Sequence, residues 1–170
     1  MKNGTIEDLL IDEAKLVFKY LLKMGASKED AEDIVQDTLY RTIKNIDSIH
    51  EDKVRAWLFK VAINNFYNLY SKKKTMVHLT SGEFEMIKPP SKSTEEIYLT
   101  EQNKKELMRA LNELKPSYKN LLILKYYMDL SYKEMASILE TSEQNVKVYL
   151  YRARNTFKHI WEGNYDEQQR

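Results

Sequence analysis

Gln144, Lys147, Val148, Tyr151, Arg152 and Asn155, with Arg154 flanking, fall on one side of a helical stretch. Glutamine, lysine and arginine can bond base edges or phosphates, while valine and tyrosine can press on thymine methyls or sugars. Their placement is forced by the opposite side, where Val146, Leu150, Ala153 and Phe157 recur at spacings of four, three and four. That is the period of a helix with one buried face. Just upstream, Ser131 and Glu134 form an S-x-x-E capping box that starts a shorter helix, with Met135, Ala136 and Leu139 on its apolar side. Ala136 lets two helices approach closely, Glu140-Thr141 makes the turn, and Ser142 can cap the second helix. Such a unit is a helix-turn-helix whose second helix suits a major groove. A solvated amphipathic helix in a bundle has the same period, so the DNA reading rests on the capping box, the alanine and the basic-aromatic face together.

Two other polar constellations stand out. Lys60, Asn64, Tyr67, Asn68 and Ser71 form a stripe at helical spacing, followed by Lys72, Lys73 and Lys74. An amide can donate and accept at a base edge, a tyrosine can stack on an unpaired base, and lysines can meet phosphates. Taken alone, the asparagine reads as a solvated residue and the lysines as a solvated charge run. Asp33, Gln36 and Asp37 lie at i, i+3 and i+4 on one helical face. Carboxylates with an amide suit a basic partner; stabilisation of a helix N-terminus also accounts for Asp33, but poorly for Gln36. Enzyme chemistry finds no foothold. His50, His78 and His159 are isolated, no metalloprotease, phosphate-loop or nucleophile motif is present, and there is no cysteine. No metal and no cofactor is expected.

The elements that must carry these residues are helical throughout. Only four glycines and three prolines occur in 170 residues, which disfavours a turn-rich β fold. A first helix over Ile6 to Met24 shows apolar residues at Ile6, Leu9, Leu10, Ala14, Val17, Leu21 and Leu22, and Gly25 stands where a helix-ending glycine belongs. Ser27 caps a second helix reaching about Asn45, with Ala31, Ile34, Val35, Thr38, Leu39, Thr42 and Ile43 inward. A third, from Val54 to about Lys73, buries Trp57, Leu58, Val61, Ala62 and Leu69. The period then stops: Thr75 to Thr94 collects Gly82, Pro89, Pro90 and several serines and threonines, reading as a flexible linker. Helical patterning resumes near Glu95, and Pro116 suits the first turn of the helix carrying Leu121, Leu122, Leu124 and Tyr127. The fold class is all-α: two small helical domains at 1–74 and 99–170, joined by a linker at 75–98.

Net charge is +1, with a slight basic excess at both ends and an acidic one in the middle. A free DNA binder of high affinity is usually more basic. Weak intrinsic affinity, completed by a partner, fits better. No apolar run reaches membrane-span length and the N-terminus lacks signal-peptide order, so no membrane insertion and a cytoplasmic location are expected.

Ser131-Tyr-Lys-Glu-Met-Ala-Ser-Ile-Leu through Val146-Lys-Val-Tyr-Leu-Tyr-Arg-Ala-Arg is similar to region 4 of bacterial sigma factors of the extracytoplasmic-function (ECF) group, within the sigma-70 superfamily. Ala31-Glu-Asp-Ile-Val-Gln-Asp-Thr-Leu and Arg55-Ala-Trp-Leu-Phe-Lys-Val-Ala-Ile-Asn resemble two helices of region 2. The resemblance covers nearly the whole chain and implies a region 2 three-helix bundle and a region 4 helix-turn-helix bundle. It implies a sigma factor that binds core RNA polymerase, through the β′ coiled coil and β flap, and directs initiation at promoter DNA. Asp33, Gln36 and Asp37 would meet β′. Lys60, Asn64, Tyr67, Asn68, Ser71, Lys72 and Lys73 would meet the −10 element, with Asn64 holding a flipped base framed by Asp47 to Lys53. The α-helical face Gln144, Lys147, Val148, Tyr151, Arg152, Arg154 and Asn155 would meet the −35 element. An anti-sigma partner is implied as well. An ordinary helix-turn-helix regulator is the competing reading. The chain departs from the family in placing Glu140 where the turn usually has glycine and Thr141 where an apolar residue is common, which implies a looser turn or a first helix longer by one residue. Asn68 and Ser71 replace the family's aspartate and arginine.

Overall fold

A computed structural model describes residues 5–77 and 101–168, and among them every regular element is helical. The α-helices are α1 (Ile6–Met24), α2 (Lys28–Lys44), α3 (Val54–Val77), α4 (Glu101–Glu113), α5 (Pro116–Leu122), α6 (Tyr132–Ile138) and α7 (Glu143–Gln168). A single π turn, Ile123–Tyr127, continues α5. Two short 3-10 turns, Ile46–Ser48 and Glu51–Lys53, join α2 to α3. From residue 78 to 100 the expected linker lies outside the described residues. Its first three positions, 75–77, instead belong to α3.

Local signals set the ends. Thr5 and Asp8 cap α1 reciprocally, and Ser27 Oγ accepts the Asp30 amide at 3.1 Å to start α2. Between them Gly25 takes a left-handed φ of 104°, and the Ala26 amide returns to the Leu21 carbonyl at 3.0 Å. That six-to-one bond satisfies a carbonyl the helix end would leave orphaned.

α1, α2 and α3 pack pairwise into a three-helix bundle. Its centre holds Val17, Tyr20, Leu21, Ala31, Leu58, Phe59 and Ala62, with Tyr20 and Phe59 edge-to-face at 5.6 Å between ring centroids. Periodicity placed several side chains wrongly. Ile6 and Ile43 are exposed, Trp57, Val61 and Leu69 are only half-buried, and Phe59, Ile63 and Phe66 are buried instead. For the α3 residues the reason is that this helix is covered on two sides, by α1 and α2 and also by α6 from the C-terminal half. A helix packed on both sides has no single stripe to read.

In the C-terminal half α5, α6 and α4 pack on α7. Leu114, Leu121, Leu122, Leu124, Met135, Ala136, Val146, Leu150 and Ala153 are buried there. One contiguous apolar core runs through both halves. Buried polar contacts cross between them. Tyr20 donates its hydroxyl to Asn120 Oδ1 at 2.7 Å and Lys119 donates to the Met24 carbonyl at 2.9 Å, while within the C-terminal half Lys119 also donates to Asn112 Oδ1 at 2.9 Å. Burial pushes the Lys119 ammonium below its ordinary pKa.

Candidate nucleic-acid interface

α6 begins where Ser131 caps it: Ser131 Oγ accepts the Glu134 amide, and Glu134 Oε2 accepts the Ser131 amide at 2.8 Å. Accepting that backbone N–H is the main reason the Glu134 carboxyl sits below its usual range, burial opposing and the Ser131 hydroxyl and Arg55 assisting. The α6 end is a tight one. Glu140 adopts a left-handed φ of 51° and the Thr141 amide returns to the Ala136 carbonyl at 3.0 Å. Neither a looser turn nor a longer first helix results: glutamate takes the conformation glycine would, at a cost of about 1 kcal/mol.

Ser142 Oγ then accepts the Asn145 amide at 3.1 Å and α7 departs. It runs well past Phe157, the last residue of the apolar stripe, to Gln168. Val146, Leu150 and Ala153 are wholly buried and Phe157 half-buried, stacking on Trp161 at 5.9 Å. Gln144, Lys147, Val148, Tyr151, Arg152, Arg154 and Asn155 are all exposed. Three aromatic neighbours had no clear signal in the sequence. Arg154 donates to the Tyr126 hydroxyl at 2.9 Å, which raises its guanidinium pKa, and Lys147 Nζ lies 5.5 Å from the centroid of the Tyr132 ring. Tyr149 is exposed as well. Tyr126 is exposed within the π turn, a backbone irregularity that no periodicity announces.

The α3 stripe is divided. Asn64, Asn68, Ser71, Lys72 and Lys73 are exposed, Lys73 reaching Asp30 at 2.6 Å. Lys60 and Tyr67 are half-buried under the C-terminal half. Lys60 pairs with Glu140, and the Tyr67 hydroxyl donates to the Pro116 carbonyl at 3.3 Å. Beside them Arg55 holds Glu13, buried within α1, at 2.9 Å and Glu134 at 3.1 Å. Sequence reading missed Glu13, which looks like any charge on an amphipathic helix.

On α2, Asp33 and Gln36 are exposed while Asp37 is half-buried, tied to Arg41 at 2.8 Å and Asn65 at 2.7 Å. Tyr40 and Ile43 continue the outer face beyond Gln36, at 66% and 59% exposure. Both side chains leave apolar area in water beside Gln36. Among the described residues no cluster of histidine and carboxylates could hold a metal ion, and no helix is long and apolar enough to cross a membrane.

The family described as Sigma-70 region 2 matches residues 10–75, and that described as Sigma-70, region 4 matches residues 104–157. The ECF RNA polymerase sigma factor SigM of Bacillus subtilis is 30% identical over 96% of this chain and 99% of its own. RNA polymerase sigma factor YlaC of the same organism is 30% identical over 91% and 90%. Among solved structures, the sigma factor RpoE in complex with the anti-sigma factor NepR from Bartonella quintana superposes with a TM-score of 0.70. It covers 92% of this chain and 96% of that one at 24% identity. CnrH in complex with the cytosolic domain of CnrY gives 0.65 at 18% identity, covering 94% and 91%.

Proposed function

This chain belongs to the ECF group of RNA polymerase sigma factors, which serve transcription initiation, and from that premise we propose that it directs core polymerase to promoters by gripping two DNA elements. Residues 99–170 grip the −35 element and residues 1–74 grip the −10 element and the polymerase, with 75–98 connecting them. The observation that carries the reading is the division of α7. Three successive turns bury Val146, Leu150 and Ala153 while all seven residues assigned to the outward face, Val148 among them, stay exposed. A helix held that firmly on one side and left free on the other suits a groove.

Lys147, Arg152 and Arg154 supply phosphate or base-edge contacts; Gln144 and Asn155 supply amides; Val148 and Tyr151 supply apolar contact. On α3, Asn64 and Tyr67 hold an extruded base, with Lys60, Asn68, Ser71, Lys72 and Lys73 along the strand backbone. Melting without ATP must offset unstacking with binding energy, and a pocket for one base confines that cost to one nucleotide. Asp33, Gln36 and Asp37 meet polymerase. The exposed Tyr40 and Ile43 beside Gln36 support that surface with apolar area that carboxylates alone lack. A partner that covers these faces, of the anti-sigma kind named in the superposing RpoE–NepR complex, would hold the chain inactive.

Promoter selection from a random duplex library with reconstituted holoenzyme tests the proposal. Enrichment of two conserved boxes at fixed separation, both required for run-off transcription, is the expected result. Binding to DNA without polymerase, at a single box, would establish an ordinary helix-turn-helix regulator instead.

A further inference from the structure

The C-terminal half covers part of the α3 face assigned above to DNA. Lys60 is paired with Glu140 and Tyr67 donates to the Pro116 carbonyl, so both polar ends are spent on the other half of the molecule. Glu140 is not a neutral choice at its position. Its φ of 51° is a conformation glycine adopts freely, and glycine could not reach Lys60. Glu134, the capping residue of α6, makes a parallel contact, accepting from Arg55 of α3 at 3.1 Å.

We infer that Glu140 is a latch: its carboxylate clamps Lys60 and closes the −10 face of α3 onto the turn of the helix-turn-helix, so that the free protein cannot offer both DNA surfaces at once. The inference rests on the assignment of Lys60 and Tyr67 to DNA. Geometry demands an opening step. Lys60 touches the residue three positions before α7 begins, whereas elements named −35 and −10 stand about 25 base pairs, or about 85 Å, apart on duplex DNA. No single closed arrangement can reach both. Glu140 therefore competes with a DNA phosphate for the same ammonium group, and its contribution is electrostatic and salt-sensitive. The continuous apolar core and the buried Tyr20–Asn120 bond supply the rest of the closure. The latch thus adjusts the opening equilibrium and does not alone determine it.

The absence of cysteine makes opening measurable by thiol trapping in the full chain. An Asn120→Cys reporter, buried between the halves, reacts when they part, and because it removes the Tyr20–Asn120 bond every variant is compared on that same background; an Ala31→Cys reporter, buried between helices of the N-terminal bundle, reacts when that bundle unfolds. Glu140→Gln and Glu140→Gly should each speed labelling of the first reporter about two- to fivefold at low salt, the range of a partly exposed ion pair, and leave the second unchanged. Lys60→Glu should open the halves likewise, and combining it with Glu140→Lys should restore slow labelling. Core polymerase should speed labelling of the first reporter in the otherwise unchanged chain. Unaltered rates in the Glu140 variants, equal acceleration of both reporters, a double variant as fast as the singles, or no effect of polymerase would each overturn the latch. Failure of promoter selection would refute the DNA assignment separately, since the two labelling rates are read without DNA.

Discussion

The two faces assigned to DNA are held in opposite states. On α7 the outward residues are exposed and the helix is anchored from behind by Val146, Leu150 and Ala153. On α3 the corresponding stripe is interrupted, with Lys60 and Tyr67 engaged by the C-terminal half and Asn64 and Asn68 left in water. One face is ready and the other is conditional. The difference follows from neighbours: α7 is packed on one side only, whereas α3 is the helix against which both halves of the molecule lean.

The largest expected effects test what anchors each face. Leu150→Ala removes a wholly buried side chain behind the α7 face and should cost about 2–5 kcal/mol in denaturant unfolding. Tyr151→Ala, one residue further along, should leave stability within about 0.5 kcal/mol and weaken −35 duplex binding. Similar costs for both would dissolve the inside–outside division of α7. On α3 the matching change is Arg55→Ala, which strands the buried Glu13 carboxylate. Since Arg55 itself is partly in water, about 2–3 kcal/mol is expected, at the lower end for a broken buried pair or below it. Arg55→Ala with Glu13→Gln should recover much of that loss, and a thermal melt of the pair reads it directly.

The contrast also marks what the amino-acid sequence could disclose. α1 from Ile6 to Met24, the Gly25 stop, the Ser27 cap and the Ser131–Glu134 capping box were legible because each depends on residues within one turn of one another. The α7 face was legible for the same reason: one buried stripe fixes its opposite. α3 was not, because its second buried side comes from α6, some seventy residues away in the chain, and long-range packing leaves no local period. The burial of Glu13, the exposure of Tyr126 and the engagement of Asp37 by Asn65 are long-range or irregular in the same way. Glu140 marks the boundary. Its unusual identity in the turn was visible, but its partner Lys60 was not.

Smaller effects separate the chemistry of the faces. Lys147→Ala and Arg152→Ala should each weaken −35 duplex binding by about 1–3 kcal/mol if they touch base edges. If they touch phosphates, the loss should be uniform across sequences and the slope of log affinity against log salt should fall by about 1. Fluorescence anisotropy against matched and scrambled duplexes at several salt concentrations distinguishes these. A holoenzyme indifferent to both changes would mean that the DNA face lies elsewhere on α7. Gln36→Ala should lower polymerase affinity without affecting the melt, because Gln36 is exposed and outside the core.

The smallest expected effect belongs to Glu134, which serves both sides of the comparison: it caps α6 and receives Arg55 from α3. Its carboxyl is held below the ordinary value of 4.5, chiefly by the Ser131 backbone N–H. A depressed folded-state pKa means that the stabilisation is fully present above about 4.5 and is lost as pH falls through the lower folded value. Glu134→Gln keeps a side chain able to accept the capping bonds, since glutamine also serves at that position of a capping box, but it cannot titrate there. Between pH 5 and 3, roughly the window around carboxylate titration, the parent chain should therefore lose about 0.5 kcal/mol more than the variant, a figure kept small by solvent screening. Thermal melts across that range would show the two curves converging towards acid. Parallel curves would mean that the charge on Glu134 contributes nothing to either contact, leaving Glu140 and Lys60 as the electrostatic link between the two halves that remains to be weighed.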